Sequence, residues 1–342
     1  MSDKTAVLLV NLGTPDSPSV RDVRSYLSQF LNDPRVIDIP YLARKILVNL
    51  IIVPFRAPKS AKVYQQLWTD EGSPLLGHSQ KAQQLLQQAL GEQYSVYLAM
   101  RYKNPSIPDV LEEIRKRNHS KIVVLPMFPQ YASATTGSVH EEVMRIVRTW
   151  WVIPEVKFVS QYFDHPDFIK AFVDRGRQHD IGSYDHVLFS YHGLPERQVE
   201  KVHGGPCAKY RCEEEINDDN RLCYRATCYA TTRLLATQLG IPKERYTVTF
   251  QSRLDKNWLM PFSDDVVVEC ARKGIKRLLV FSPAFTADCL ETLIEIGVEY
   301  QELFHQHGGE RIQLVESLND HPHWVECLRK LVVGAAFEAK EI

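Results

Sequence analysis

His192 follows the apolar run at residues 187–190 and is itself followed by Gly193, Leu194 and Pro195. Imidazole exchanges a proton near neutral pH and ligates metals, and Pro195 stops the chain from continuing as sheet, so the ring is presented at an edge. Taken alone, a strand-end histidine is more often a structural group bonded to a nearby carbonyl. A second constellation is acidic: Asp288, Glu291, Glu295 and Glu299 recur at three- and four-residue spacing and would share one helix face, with Asp288 able to cap that helix. A solvated face is the ordinary reading of such a stripe. Like charges at this spacing repel, however, and no Lys or Arg intervenes, so handling of protons or cations is the competing one. The third constellation is Cys207-x4-Cys212-x10-Cys223-x4-Cys228. Four thiols so close together match the ligand count of a tetrathiolate site for zinc or an iron–sulfur cluster, with the x4 spacing at the edge of zinc's usual range. Cys270, Cys289 and Cys327 stand apart and read as small buried apolar residues.

These residues need a scaffold. Short apolar or β-branched runs at 6–10, 96–100, 122–125, 156–159, 187–190, 246–250 and 277–281 read as buried strands. Segments of helical period lie between most of them, as at 20–30, 79–90, 139–147 and 231–239, which is the pattern of parallel sheets covered by helices. The fold class is therefore α/β. Three strand endings also recur in the same order in the two halves: Asn11-Leu12-Gly13-Thr14-Pro15 with Tyr191-His192-Gly193-Leu194-Pro195, Arg101-Tyr102 with Gln251-Ser252-Arg253, and Pro126-Met127-Phe128 with Pro283-Ala284-Phe285. Each ends a predicted parallel strand, the edge where open α/β sheets hold ligands. The expectation is two similar doubly wound, Rossmann-like domains facing across a cleft. One would span 1–160, with 321–342 packing back on it, and the other 161–320, with a Cys-rich insertion at 203–228.

The bulk properties set limits. A chain of 342 residues with 44% hydrophobic and 24% charged residues is globular, and seven Cys without a disulfide framework suit a reducing compartment. A formal net charge of -1 supplies no field for nucleic acid. The N-terminus has no signal-peptide layout, which makes the cytoplasm the expected compartment. The most apolar stretch, 46–55, is only ten residues, where spanning a bilayer takes about 20. Arg44 and Lys45 precede it and Arg56, Lys59 and Lys62 follow, so 44–62 reads either as a buried helix or as peripheral contact with lipid headgroups.

Taken together, the motifs resemble the ferrochelatase family. Beyond Leu188 to Pro195, the resemblance rests on Asn11 to Pro15, Arg101-Tyr102, Pro129-Gln130-Tyr131 with Thr135-Thr136-Gly137, Thr249 to Arg253, Trp258-Leu259 with Pro261, and the acidic helix, in order along more than 250 residues. It implies a chelatase fold with a porphyrin cleft between two domains, and insertion of Fe(II) into protoporphyrin IX with release of two protons, the last step of haem formation. By the same resemblance His192 accepts a pyrrole proton or guides the metal, Glu291 faces it as the partner for iron or protons, and Glu295 and Asp288 extend the path. Leu12, Tyr102, Tyr131 and Trp258 would touch the ring, and Arg101 or Ser79 would hold a propionate. A chelatase for another tetrapyrrole or metal, such as coproporphyrin or sirohydrochlorin with cobalt, and a non-catalytic haem carrier are the other readings.

Two departures stand out. Several family members have a His two residues before the glutamate, where this chain has Cys289. The cysteine quartet is an insertion relative to many relatives, and it resembles the internal 2Fe-2S cluster of some ferrochelatases, with zinc as the alternative occupant. The 46–55 run falls where protoporphyrin-using members carry a lip around the cleft mouth, which favours protoporphyrin as substrate and a membrane contact.

Overall fold

The structure, a computed structural model, describes residues 4–337. The chain divides into two compact units. The first runs to Phe128 and adds Ser133–Ser160 and the chain from Val325 onward; the second comprises Pro129–Ala132 and Gln161–Trp324.

In the first unit, β1 (Thr5–Gly13) is followed by α1 (Val20–Leu31), α2 (Tyr41–Ile46), α3 (Val53–Leu67), α4 (Pro74–Leu90), β2 (Tyr94–Tyr102), α5 (Ile107–Lys116), β3 (Lys121–Pro126), α6 (Ser138–Val147) and β4 (Glu155–Phe158). The four strands form a parallel sheet in the order β2-β1-β3-β4. Residues Ala6 to Val10 of β1 have no exposed surface. That is why the run is apolar without alternation: helices cover both faces of a parallel sheet. One face packs Leu8, Val10, Ile122 and Val124 against Leu111 and Ile114 of α5 and Val139 and Val143 of α6. Ser19 and Ser106 start α1 and α5 by accepting backbone N–H bonds from Asp22 and Asp109.

The second unit contains α7 (Pro166–Gly176), β5 (His186–His192), α8 (Glu196–Glu200), α9 (Tyr224–Leu239), β6 (Tyr246–Gln251), α10 (Ser263–Arg272), β7 (Arg277–Phe281), α11 (Gln301–Gln306) and β8 (Arg311–Leu314); α12 (Pro322–Phe337) follows, and from Val325 on it belongs to the first unit. Its parallel sheet has the order β6-β5-β7-β8, the same permutation as the first. The repeated strand endings thus sit at equivalent places, with β1 matched by β5 and β2 by β6. The seven strand runs read from sequence all form strands; β8, short and with two of its four residues half-buried, carried no such signal.

Two segments depart from regular α-helix. Residues Leu47–Ile52, between α2 and α3, and Glu291–Tyr300, before α11, are π-helical, a form that recurs at functional sites. The 46–55 run is not a buried helix. Ile46, Leu50 and Phe55 are 56%, 69% and 75% exposed, and only Val48 and Val53 face the core. Arg44 is not part of its basic fringe, because its guanidinium is turned inward to the carbonyls of Ile37 and Ile39. Among the described residues no helix is long and apolar enough to cross a membrane.

Candidate active site and a cysteine-rich centre

His192 is the last residue of β5, paired in register with Gln251, the last residue of β6. The preceding Tyr191 is fully buried, with its hydroxyl on Thr232 at 2.8 Å, so the strand is anchored up to the residue that emerges half-buried. Two contacts fix His192 itself. Tyr224 donates its hydroxyl to the His192 carbonyl at 3.0 Å, and Nδ1 lies 2.6 Å from the Gly193 carbonyl. A carbonyl only accepts, so Nδ1 carries the hydrogen, and in the neutral ring Nε2 is the unprotonated nitrogen. Gly193 is required here: a Cβ would stand 2.8 Å from the Gln251 carbonyl oxygen and 3.2 Å from the Trp258 ring. Trp258 and Phe285 flank the imidazole, each with its ring centre 6.4 Å away.

Gln251 ties the histidine's strand to the acidic segment. Its Oε1 accepts from Ser190 Oγ at 2.8 Å, while Nε2 donates to the Glu291 carbonyl at 2.8 Å and to Glu295 Oε2 at 2.9 Å. Glu295 accepts three more bonds, from Ser252 N (2.8 Å), Ser252 Oγ (2.5 Å) and Tyr300 Oη (2.9 Å). Ser252 can reach it with both groups because its backbone is left-handed, φ 61°. The Glu291 carboxyl, by contrast, is half-buried beside the Cys289 thiol, whose ionisation burial and that carboxylate both oppose. Burial, reinforced by Glu295 and Glu302, also raises Glu299. Glu291, Glu295 and Glu299 are four apart, close to the longer repeat of a π-helix, so the twist keeps them nearly aligned. Asp288 lies outside this row. It is buried and accepts from Thr292 Oγ1, Ser317 N and Asn319 Nδ2, which makes it the anchor of the loop before the helix rather than an extension of an acidic path.

The expected ring and propionate contacts fall in both units. In the second, Trp258 and Tyr131 are half-buried, with Trp258 held by a bridge to Pro195 and by Leu259 N donating to Leu194 O at 2.9 Å. In the first, Leu12 is half-buried at the end of β1. Arg101 donates to Asp33 Oδ2 at 2.7 Å and to Ser138 Oγ at 2.6 Å. With Lys45 it supplies the cations of a hollow of about 550 Å³ lined also by Ser28, Asn32 and Asp33. Two expected contacts do not reach a surface. Tyr102 is fully buried with its hydroxyl on Asp33 at 2.9 Å, and burial pushes its ionisation well up. Ser79 is equally buried, donating to Leu75 O at 2.7 Å and accepting from Asn11 Nδ2 at 3.1 Å, so its hydroxyl is spent holding α4 to the end of β1. Asp33, which collects Arg101, Tyr102 and Ser138, was missed from sequence because nothing in the local pattern marks an aspartate just past a helix.

The cysteine-rich segment forms a separate group. Cys207, Cys212 and Cys223 converge with His203, their ligand atoms all within 4.8 Å of one another. Cys228 is not in the group; it is buried on α9 beside Tyr224. Bonds from Cys207 and Cys212 favour the thiolate of Cys223. The signal for His203 was its place four residues before Cys207, which the four-cysteine spacing overshadowed.

Comparison with known proteins agrees with this architecture. The ferrochelatase family model matches residues 4–336. A ferrochelatase of Legionella pneumophila (strain Lens) is 44% identical over 330 residues, covering 96% of this chain and 98% of its own length. One of Coxiella burnetii (strain CbuK_Q154) is 43% identical over 338 residues, covering 96% and 93%. Among solved structures, SirB from Bacillus subtilis has a TM-score of 0.56 at 15% identity, covering 98% of this chain and 96% of its own, which is a likeness of fold. With that likeness and identity along nearly its whole length, the chain belongs to the ferrochelatase family.

Proposed function

We propose that this chain inserts Fe(II) into protoporphyrin IX, with the two pyrrole N–H protons leaving as the ion takes up bonds to all four ring nitrogens. The observation that carries the reading is the meeting, at one strand edge, of an imidazole whose Nδ1 is held on a carbonyl, leaving Nε2 as its acceptor, and a π-helical row of carboxylates tied to the neighbouring strand through Gln251. Iron is the substrate here, and the porphyrin gives up as many positive charges as it receives. His192 Nε2 accepts one pyrrole proton, the task imidazole suits near neutral pH. Glu291, whose carboxyl has a thiol rather than a strong donor beside it, takes the second proton or holds the incoming ion. Glu295, saturated by four donors, fixes the helix and the charge beneath Glu291. Trp258 and Phe285 supply the apolar wall for a flat macrocycle. Arg101 and Lys45 are the cations suited to a propionate, in place of the buried Ser79.

The exposed Tyr41, Leu42, Ile46, Leu50, Ile51 and Phe55, with Lys45, Arg56, Lys59 and Lys62 around them, form a surface suited to an anionic lipid interface, from which an apolar porphyrin is available.

The test is anaerobic Fe(II) insertion into protoporphyrin, followed by loss of porphyrin fluorescence, for wild type, His192→Ala and Glu291→Ala. Loss of rate by two to four orders of magnitude is expected for each, the usual range for removing a positioned acid or base. Equal rates in all three, with porphyrin still bound, would make the protein a carrier.

A further inference from the structure

The quartet read from sequence suggests two metal ions bridged by sulfide, with two thiolates on each. The structure does not arrange its donors that way. In a two-iron cluster the terminal ligands form two pairs on opposite irons, so ligands on different irons are pushed apart by roughly the iron–iron separation beyond the distance within a pair. Here all four donor atoms converge on one point, with no pair farther apart than 4.8 Å.

The separations fit a single ion. Sulfurs at about 2.3 Å and a nitrogen at about 2.0–2.1 Å from one tetrahedral centre lie about 3.8 Å apart for two sulfurs and about 3.6 Å apart for sulfur and nitrogen. Cys207 Sγ is 3.8 Å from Cys223 Sγ, and His203 Nε2 is 3.7 Å from Cys207 Sγ and 3.6 Å from Cys212 Sγ. We propose that His203, Cys207, Cys212 and Cys223 hold one tetrahedral divalent ion of zinc's class, and that Cys228 is not a ligand.

The surroundings suit a structural site. Three thiolates and an imidazole are a closed tetrahedral set with no open position, the arrangement that zinc takes when it fastens a fold. The segment it closes has little regular structure: between α8 and α9 there is one short 3-10 turn, Cys207–Tyr210. The ligands come from four places in it. His203 lies in the turn after α8, Cys207 opens the 3-10 turn, Cys212 follows it, and Cys223 sits at the N-terminal cap of α9. The Tyr210 ring stacks on the imidazole at 4.3 Å and 27°. The Tyr210 carbonyl accepts from Asn217 and Asn220. Stacking, rather than a bond from the buried Nδ1, which has no hydrogen-bond partner among the described residues, therefore orients Nε2 toward the thiols. Cys228, farther along α9, is fully buried and lies outside the group of four converging donors.

The test is a metal and acid-labile sulfide count on protein purified without oxygen. It is made in the Glu291→Ala background so that metal in the catalytic cleft does not enter the count. One zinc per chain, no labile sulfide and no visible colour are expected. After removal of zinc, one Co(II) should be taken up with the strong thiolate charge-transfer and tetrahedral bands of cobalt. His203→Ala and Cys212→Ser should lose the ion, and Cys228→Ser should keep it. Two irons with two labile sulfides, failure to take up Zn(II) or Co(II), or loss of the ion in Cys228→Ser but not in His203→Ala would each overturn the proposal. Because the readout is metal content, it is independent of whether the chain metallates porphyrin.

Discussion

Ser252 Oγ donates to Glu295 Oε2 at 2.5 Å, while the Ser252 N–H reaches the other carboxyl oxygen at 2.8 Å. A residue at the end of β6 thus grips a residue in the second turn of the π-helix with both of its polar groups. The carboxylate row is thereby positioned by the sheet edge that also carries His192, through the register of β5 and β6. Glu291 and Glu295, indistinguishable by spacing, are separated by their partners: one has a thiol beside it, the other four donors.

That contrast divides the expected effects of two conservative changes. Glu295→Gln turns an acceptor of four bonds into a group with two donor hydrogens facing donors. It should cost about 1–3 kcal/mol of stability as well as lowering kcat. Glu291→Gln leaves no comparable set unpaired and should stay within about 0.5 kcal/mol of wild type in stability while losing activity. Thermal melts alongside anaerobic insertion rates check this. Equal stability losses in the two variants would remove the distinction between a positioning and a reacting carboxylate.

How far the sequence reveals this arrangement depends on what carries the signal. The strand edges were legible because Asn11-Leu12-Gly13 and Tyr191-His192-Gly193 occur at the ends of apolar runs, and both do end central strands. The fold class followed from the same runs. The allocation of Pro129–Ala132 to the second unit was not legible, because no composition change marks it. Nor were the hydroxyls legible: Tyr102 and Ser79 are polar residues beside a functional motif, but their bonds with Asp33 and Asn11 join residues 69 and 68 positions apart, which no local period reports. The cysteine count drew attention to Cys228 and away from His203, since spacing alone does not show that a cysteine on an interior helix face is directed elsewhere.

A buried histidine in the first unit gives a pH dependence with a definite sign. His140 lies with its ring 4.6 Å from Phe158, and burial holds its pKa down at about 4, with Arg35 adding to the effect and a bond to the Val159 backbone opposing it. In the unfolded chain it titrates near about 6.5, so between those values the unfolded state binds a proton that the folded state refuses. Stability contributed by the neutral ring is therefore present above that range and lost as pH falls from about 6.5 toward about 4. His140→Gln, which does not titrate, should show a Tm loss between pH 7.5 and pH 5 that is smaller than wild type's by about 2 °C, a fraction of what full burial would give. The loss will not vanish, because His179, His186 and His321 are held down by burial as well. An unchanged acid shift in the variant would refute the assignment.

Gly13 closes β1 with φ 111°, and a Cβ there would fall 1.9 Å from the Tyr102 carbonyl oxygen, a backbone atom that has no freedom to swing aside. Gly13→Ala combines that collision with a left-handed backbone, and should cost 3 kcal/mol or more, roughly the sum of backbone strain and displacement of the β1–β2 ladder. The displacement extends to Arg101, which the end of β2 carries together with its bond to Asp33. Gly77→Ala, on the exposed face of α4 with nothing within 4 Å, is the matched control and should be stabilising by about 0.4–1 kcal/mol. Chemical denaturation of both variants decides it, and a Gly13 variant as stable as wild type would mean that the strand end yields.

The surface around 41–62 makes the remaining prediction, and its geometry separates two contributions. Leu50 and Phe55 are large, apolar and mostly exposed, and full burial of either is worth about 1.5–3 kcal/mol. Lys59 and Lys62 stand beside them on α3 in solvent, where each adds about 1 kcal/mol near an anionic surface, a term that salt screens. Flotation with vesicles containing phosphatidylserine should therefore show binding that falls with ionic strength and falls at least tenfold at low salt in Leu50→Ser with Phe55→Ser. Lys59→Gln with Lys62→Gln should instead flatten the salt dependence and leave the apolar part intact. The same double Ser variant should keep its insertion rate with porphyrin presented in detergent, since neither residue carries an acid, base or metal-ligating group. Equal flotation of wild type and the double Ser variant would show that the exposed apolar face serves something other than lipid.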